Sequence, residues 1–155
     1  MVKAKSTPRF FNKVVSVILV QTDTTVGFLS QDEKKLKEIK SRDSTKPFIK
    51  VYKNFKAFTY NNRVDNQHKN LIRHSKKTTF IVKNRAFRVA KTELHSSFLR
   101  QEWNYSTSAN ESGKNFDRVF CEEKADIIIE DKTSLYEGKS SALYKLNAKK
   151  IRRLR

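Results

Sequence analysis

Glycine is scarce in this chain, with three residues in 155. Neither G-x-x-x-x-G-K-[ST] nor G-x-G-x-x-G occurs, so any nucleotide is bound without the P-loop or the Rossmann fingerprint. Cysteine is down to one residue, Cys121. That excludes an internal disulfide framework and a Cys-rich metal site, and fits a cytosolic protein. The three histidines, His68, His74 and His95, fall in neither H-x-x-x-H nor H-E-x-x-H, which argues against a histidine metal site. No run of 18 apolar residues exists, so no helical membrane span and no membrane partner are expected. The basic start is followed by V-V-S-V-I-L-V, an apolar run of only seven residues. No small-residue cleavage site follows it, and no secretory signal is expected.

Acidic residues are the minority charge. Sixteen Asp and Glu face 34 Lys and Arg, a net +18 with an isoelectric point near 10.1. Such a surplus attracts phosphates, of nucleotides or of RNA. A generally basic proteome produces the same surplus with no specific meaning. Hydrophobic residues make up 37% and include 11 Phe and 5 Tyr, enough for a packed core and against disorder. The length fits one domain over residues 1–155.

The patterning alternates strands and helices. Residues 13–20 form an apolar, β-branched run that reads as a strand buried on both faces. Residues 30–42 read as a helix, with Ser30 as cap and Glu33 completing a capping box. Leu36 and Ile39 share a face, and Glu33–Lys37 and Glu38–Arg42 are i,i+4 pairs. Strands are expected at 46–53, 78–83, 86–90, 125–131 and 141–146. Residues 92–102 read as a helix capped by Thr92, with Leu94, Phe98 and Leu99 at helical spacing. Residues 115–123 read as another, capped by Asn115, with Phe116, Val119 and Phe120 facing inward. The basic tail is open between helix, strand and frayed end, and residues 59–78 are undecided. The pattern is that of an α/β domain with a mixed or largely parallel sheet.

Three stretches carry candidate chemistry. Q-T-D-T-T-V-G-F (21–28) puts hydroxyl and carboxyl side chains just beyond a strand end, where α/β sheets bind ligands. K-S-R-D-S-T-K-P (40–47) offers Lys40, Arg42 and Lys46 to one phosphate-sized anion; a solvated helix end explains the same cations. Ser106 to Gly113 read S-T-S-A-N-E-S-G. This run gives up packing volume for short donors and acceptors close to the backbone, suiting either a polar ligand or an ordinary Ser/Asn turn. Cys121 sits on the apolar side of its helix and reads as a core thiol, not a nucleophile.

In this order, these stretches resemble the YrdC-like family of threonylcarbamoyl-AMP synthases. The matches are Q-T-D-T-T-V-G-F, K-S-R-D-S-T-K-P-F, S-K-K-T-T-F-I-V, F-R-V-A, S-T-S-A-N-E-S-G and G-K-S-S-A-L-Y-K-L, over about residues 14–153. Departures are Gln21 for the family proline, Asp23 for glutamate, Val26 for tyrosine, Ser75-Lys76-Lys77 for P-G-P and Ala90 for the proline after Arg88-Val89. The resemblance implies a single-domain twisted mixed sheet with helices. It implies an enzyme, a nucleotidyltransferase that joins L-threonine, bicarbonate and ATP into threonylcarbamoyl-AMP with release of pyrophosphate, for tRNA modification in the cytoplasm. By resemblance, Thr22, Arg88, Ser106, Ser140 and Ser141 would face threonine. Lys40, Arg42, Ser44, Ser108, Asn110 and Arg153 would face ATP. Mg²⁺ would accompany the triphosphate, and no side chain would act as nucleophile. The further partners implied are tRNA or double-stranded RNA and the other proteins of the threonylcarbamoylation pathway. Two rival readings stand beside it. One is a non-catalytic YrdC-like protein that binds RNA through a basic groove. The other is a ribosome- or RNA-associated structural protein that carries the motifs by coincidence.

Overall fold

The computed structural model describes residues 2–4, 16–41, 47–91 and 101–155. The chain divides into two units, residues 1–48 with 105–139 and residues 49–104 with 140–155.

In the first unit, I-L-V-Q is too apolar for an exposed edge, and it becomes strand β2 (Ile18–Gln21) with neighbours on both sides. It pairs antiparallel with β3 (Val26–Ser30) and parallel with β8 (Ile127–Ile129). β1 (Val2–Ala4) runs antiparallel to β8, and Tyr105–Ser108, the part of β7 (Trp103–Ser108) that belongs to this unit, runs antiparallel to β3. All five residues of β3 are buried. Helix α1 (Glu33–Lys40) presents Leu36 to a core that also holds Leu19, Phe28, Phe48 and Cys121. The Glu33–Lys37 pair forms, at 2.9 Å. A second helix, α4 (Arg118–Lys124), buries Cys121.

In the second unit, β4 (Ile49–Tyr52) lies parallel to β6 (Arg85–Val89), which is antiparallel to β5 (Thr78–Val82). β5 is parallel to β9 (Ala142–Leu146), and β9 antiparallel to β10 (Ile151–Arg153). Lys83 and Asn84 turn the β5–β6 hairpin with φ of 48° and 60°, the primed geometry that matches strand twist. Helices α2 (Phe55–Asn61) and α3 (Asn66–His74) occupy the stretch undecided from sequence. Phe58 stacks on Phe87 at 4.4 Å, and Tyr52 meets Phe58 edge-on at 5.5 Å. Strand parity sends Phe80 and Val82, Phe87 and Val89, and Tyr144 and Leu146 into this aromatic core. Thr79 and Arg88 therefore face the opposite side of their strands.

The α/β architecture with mixed strand directions is the one expected, with local corrections. Ser30 ends β3 instead of capping α1; its Oγ accepts from Asp32 N, and Asp32 caps the helix by accepting from Lys34 N and Lys35 N. A carboxylate at the cap adds favourable charge at the helix start. Asp117, not Asn115, caps α4, and Val119 points outward at 69% exposure. Ser106 to Ser108 lie in strand β7, not a loop; the loop begins at Ala109. The tail resolves into β10. Arg42, Ser44, Lys46 and most of the expected 92–102 helix lie outside the described residues.

Charge divides unevenly between the units. The second holds 19 Lys and Arg against 3 Asp and Glu, or +16, while the first holds 15 against 13, or +2.

Candidate functional site

The first unit builds a tight polar corner at the end of β2. Thr22 Oγ1 donates to Thr25 O at 2.6 Å and accepts from Thr24 N at 3.2 Å and Thr25 N at 3.3 Å. No residue of this reversal has a positive φ, so it needs no glycine, and the hydroxyl takes up its backbone N–H groups. The segment after Leu135 presses on this corner. Gln21 Oε1 accepts from Tyr136 N at 2.9 Å, and Thr25 Oγ1 accepts from Gly138 N at 3.1 Å. Gln21, at the position of the family proline, thus anchors a segment 115 residues away. A Cβ on Gly138 would lie 1.9 Å from Thr24 O, so only glycine fits there. Gly27 is less confined, though Thr107 O and Thr22 Cγ2 would each be a tight 3.1 Å from an added Cβ.

Lys40, at the end of α1, is the most buried cation described, at 2% exposure. Its Nζ donates to Ser108 O (3.0 Å), Asn110 O (2.7 Å) and Asn110 Oδ1 (2.6 Å). Ser108 Oγ donates to the same Asn110 Oδ1 at 2.7 Å, and Asn110 Nδ2 donates to Lys114 O. The lysine and the small-residue loop are therefore one assembly. With three acceptors on Nζ, a phosphate would have to displace one of these loop contacts to reach it. Ser106 and Ser108 alternate on β7 and lie opposite Leu29 and Gly27 of β3. Ser106 is half-buried and Ser108 exposed.

The second unit holds a separate polar cluster. Arg88 is 7% exposed, and its Nε and Nη2 donate to Thr79 Oγ1 at 3.3 and 3.1 Å. Thr79 Oγ1 shares a hydrogen bond with Ser141 Oγ at 2.8 Å, and Arg155 Nε donates to Ser141 O at 3.0 Å. The chain thus brings Arg88 and Ser141 together through Thr79, a residue that sequence reasoning did not single out. Its signal was its place in the matched S-K-K-T-T-F-I-V stretch, two residues after the three that stand for P-G-P. Ser140 is exposed, and so is Arg153, whose Nε donates to Arg155 O at 3.1 Å.

Burial pushes the Cys121 thiol up to about 11, so it is neutral and unreactive at ordinary pH. Among the described residues, no three His, Cys, Asp or Glu side chains gather to hold a metal, and no helix is long and apolar enough to cross a membrane.

The fold has clear counterparts among solved structures. Escherichia coli YciO superposes with a TM-score of 0.73 over 91% of this chain and 82% of its own, at 18% identity. MTH1692 of Methanobacterium thermoautotrophicum does so at 0.67, over 90% and 79%, at 19% identity. Sua5 of P. abyssi, solved in complex with L-threonine, does so at 0.72 over 90% of this chain, at 19% identity. These are YrdC/Sua5-family proteins. The chain has the YrdC-like fold. It spans half the length of that Sua5. No family model and no curated sequence matches it. Within the YrdC-like fold, Lys40 and the Ser108–Asn110 loop belong to the first unit, and Arg88, Thr79 and Ser141 to the second.

Proposed function

We propose that this chain is a threonylcarbamoyl-AMP synthase. One observation carries the reading: a fold seen in a protein solved with L-threonine here bears an intact S-T-S-A-N-E-S-G run, braced by a buried lysine. In the reaction the threonine amine attacks bicarbonate, water leaves, and an N–C bond forms the carbamate. A carbamate oxygen then attacks the α-phosphate of ATP. The bond to the β-phosphate breaks, and pyrophosphate departs with its electrons. Arg88 suits the threonine carboxylate, since a guanidinium fork matches two carboxylate oxygens. The Thr79 and Ser141 hydroxyls fix that arginine's position. Lys40 and Arg42 suit the phosphates, with Ser44 beside them, and Ser108 and Asn110 suit the nucleotide. Ser106 and Ser140 offer hydroxyls for threonine, the Thr22 hydroxyl being spent on its own turn so that Thr22 would only shape that corner, and Arg153 offers a late cation for the nucleotide. None of these groups needs to form a covalent intermediate; positioning and charge neutralisation suffice. Mg²⁺ would be carried by the triphosphate and water, since the described residues offer no carboxylate cluster for it. A single buried cysteine suits a reducing cytoplasm.

The charge division favours a second reading, a non-catalytic YrdC-like protein that binds tRNA or duplex RNA. A net +16 on one unit is an electrostatic footprint for a polyanion. Variant kinetics separate the two. The synthase reading expects Arg88→Ala to abolish threonine-dependent pyrophosphate release yet leave binding of a non-hydrolysable ATP analogue nearly intact. Arg42→Ala should weaken that analogue about 10- to 150-fold. No threonine dependence in the parent protein, with RNA affinity falling steeply in salt, would establish the RNA-binding reading instead.

A further inference from the structure

In the second unit, α2 and α3 cover the aromatic core with Phe58 and Ile72, which leaves their other sides in solvent, away from the Thr79–Arg88 face. The helices lie side by side and antiparallel, since the Arg73 guanidinium at the end of α3 sits 4.7 Å from the Phe55 ring at the start of α2. Residues 53–77, which carry both helices, hold seven Lys and Arg against a single acid, Asp65. Among the described residues, only Lys53 of the seven has an ion-pair partner, Glu102. A generally basic composition would load both units alike, yet the first carries only +2. The surplus belongs to this unit.

Two of its charges are held together without compensation. Lys91 Nζ donates to Arg73 O, and neither side chain meets a carboxylate among the described residues. Burial first, and then the nearby Arg73 charge, lower the Lys91 ammonium below its usual value. A phosphate beside the pair would offset this repulsion with attraction to both cations.

Tyr60 is an independent sign of a ligand. It is 90% exposed, more than any other large apolar side chain described, so its ring packs against almost nothing in this chain. Lys56 lies one turn before it on the same side of α2, and Arg63 three residues after it; both are exposed. A single exposed aromatic is ordinary in itself. Set between cations that can hold phosphates, it is a platform on which an unpaired base can stack. Asn70 is also exposed, one turn before Arg73, and its side-chain amide makes no hydrogen bond among the described residues; an amide of this kind can meet a base edge. In a duplex the base faces are closed by stacking, so ring and amide together suit a single strand.

We propose that the outer face of α2 and α3 binds a single-stranded polynucleotide, with Lys56, Arg63 and the Arg73–Lys91 pair on its phosphates and an unpaired base stacked on Tyr60. The surface uses none of the residues assigned above to threonine or ATP, and the inference stands whether or not the chain makes threonylcarbamoyl-AMP.

The test is fluorescence anisotropy of the full chain with short end-labelled strands: single-stranded RNA, single-stranded DNA of the same sequence, and the RNA duplex. The better single strand should bind at least about 10-fold more tightly than the duplex, and the preference between RNA and DNA names the source of the strand. Tyr60→Ala should weaken single-strand binding about 5- to 150-fold, the loss of one stacked base, and Tyr60→Phe should bind like the parent. Lys56→Ala and Arg63→Ala should each flatten the slope of log affinity against log salt by about 0.7, the release of one phosphate contact. All three positions are exposed, so the variants should melt like the parent. The proposal is overturned if Tyr60→Ala binds single strands like the parent, if the duplex binds as tightly as the single strands, or if polyglutamate of equal charge displaces the strand equally well. Duplex binding without single-strand binding would overturn this proposal alone and leave the duplex-RNA reading standing. Tyr60-dependent strand binding, with no threonine-dependent pyrophosphate release from the parent, would support this proposal and overturn the synthase reading alone.

Discussion

Replacing Lys40 with methionine tests whether the small-residue loop is held by a buried charge. The aliphatic stem is conserved and only the ammonium is lost. Three hydrogen bonds go with it, to Ser108 O, Asn110 O and Asn110 Oδ1. Charge-assisted bonds contribute about 1.5–3 kcal/mol each. Against them stands the desolvation of an ammonium that is only 2% exposed, which costs several kcal/mol. Ser108 is exposed and Asn110 half-buried, so water can reach part of what the variant leaves unpaired. The net loss should be about 2 kcal/mol, lowering the urea midpoint by about 1 M. The local effect should centre on the loop. Ala109 N donates to Val26 O at 2.9 Å, and its amide exchange should accelerate about 30-fold if the loop opens that much more readily. A variant with the parent's urea midpoint and the parent's Ala109 protection would refute the argument that Lys40 braces this loop.

Gly138→Ala should destabilise the first unit by on the order of 2–4 kcal/mol, because the new Cβ collides with backbone at Thr24; a thermal melt equal to the parent's would contradict the packing described. Arg118 holds Glu130 through two bonds, at 3.0 and 2.8 Å, and lowers its carboxyl to about 2, with Ser134 contributing next. The folded state therefore binds this proton less readily than the unfolded state. The pair's contribution is fully present above about pH 4.5 and is lost as pH falls towards 2. Solvent screens the pair, so Arg118→Ala should cost no more than about 1 kcal/mol at neutral pH, and the difference from the parent should vanish near pH 2 in urea titrations. Cys121, raised to about 11 by burial, should resist iodoacetamide at pH 8 until urea unfolds the chain. Its folded state keeps the proton longer, so stability should decline between about pH 9 and 11; rapid alkylation of the native protein would show an accessible thiol instead.

What the sequence disclosed follows from periodicity. β5, β6, β8 and β9 were legible because short apolar or alternating runs lie between turn residues. β3 was not, because V-G-F-L-S is buried on both faces and shows no alternation; its last residue, Ser30, looks like a helix cap. β7 was hidden for the opposite reason. Its Ser106, Thr107 and Ser108 have the composition of a loop, and only pairing with β3 makes them a strand. α2 and α3 were obscured by asparagine-rich sequence. Few apolar side chains pack inward from them, namely Phe55, Ala57 and Phe58 in one and Ile72 in the other.

The candidate site divides along the same line. Local motifs marked Thr22, Lys40, Arg88 and the S-T-S-A-N run. No spacing rule could show that Lys40 reaches a loop about 70 residues on, or that Thr79 stands between Arg88 and Ser141. Gly138 was marked only as the first residue of the matched G-K-S-S-A-L-Y-K-L stretch, and its need for glycine arises where the chain folds back on Thr24. The small-residue run thus has two roles. Its strand half packs beside Gly27, and its loop half is fastened by Lys40.

The central claim is tested most directly by supplying the full chain with ATP, L-threonine, Mg²⁺ and labelled bicarbonate, and separating the nucleotides formed. Label is expected in threonylcarbamoyl-AMP, with pyrophosphate in equal amount and loss of both when Arg88 is replaced by alanine. Unlabelled nucleotide throughout, from a folded parent protein that still binds the ATP analogue, would contradict it.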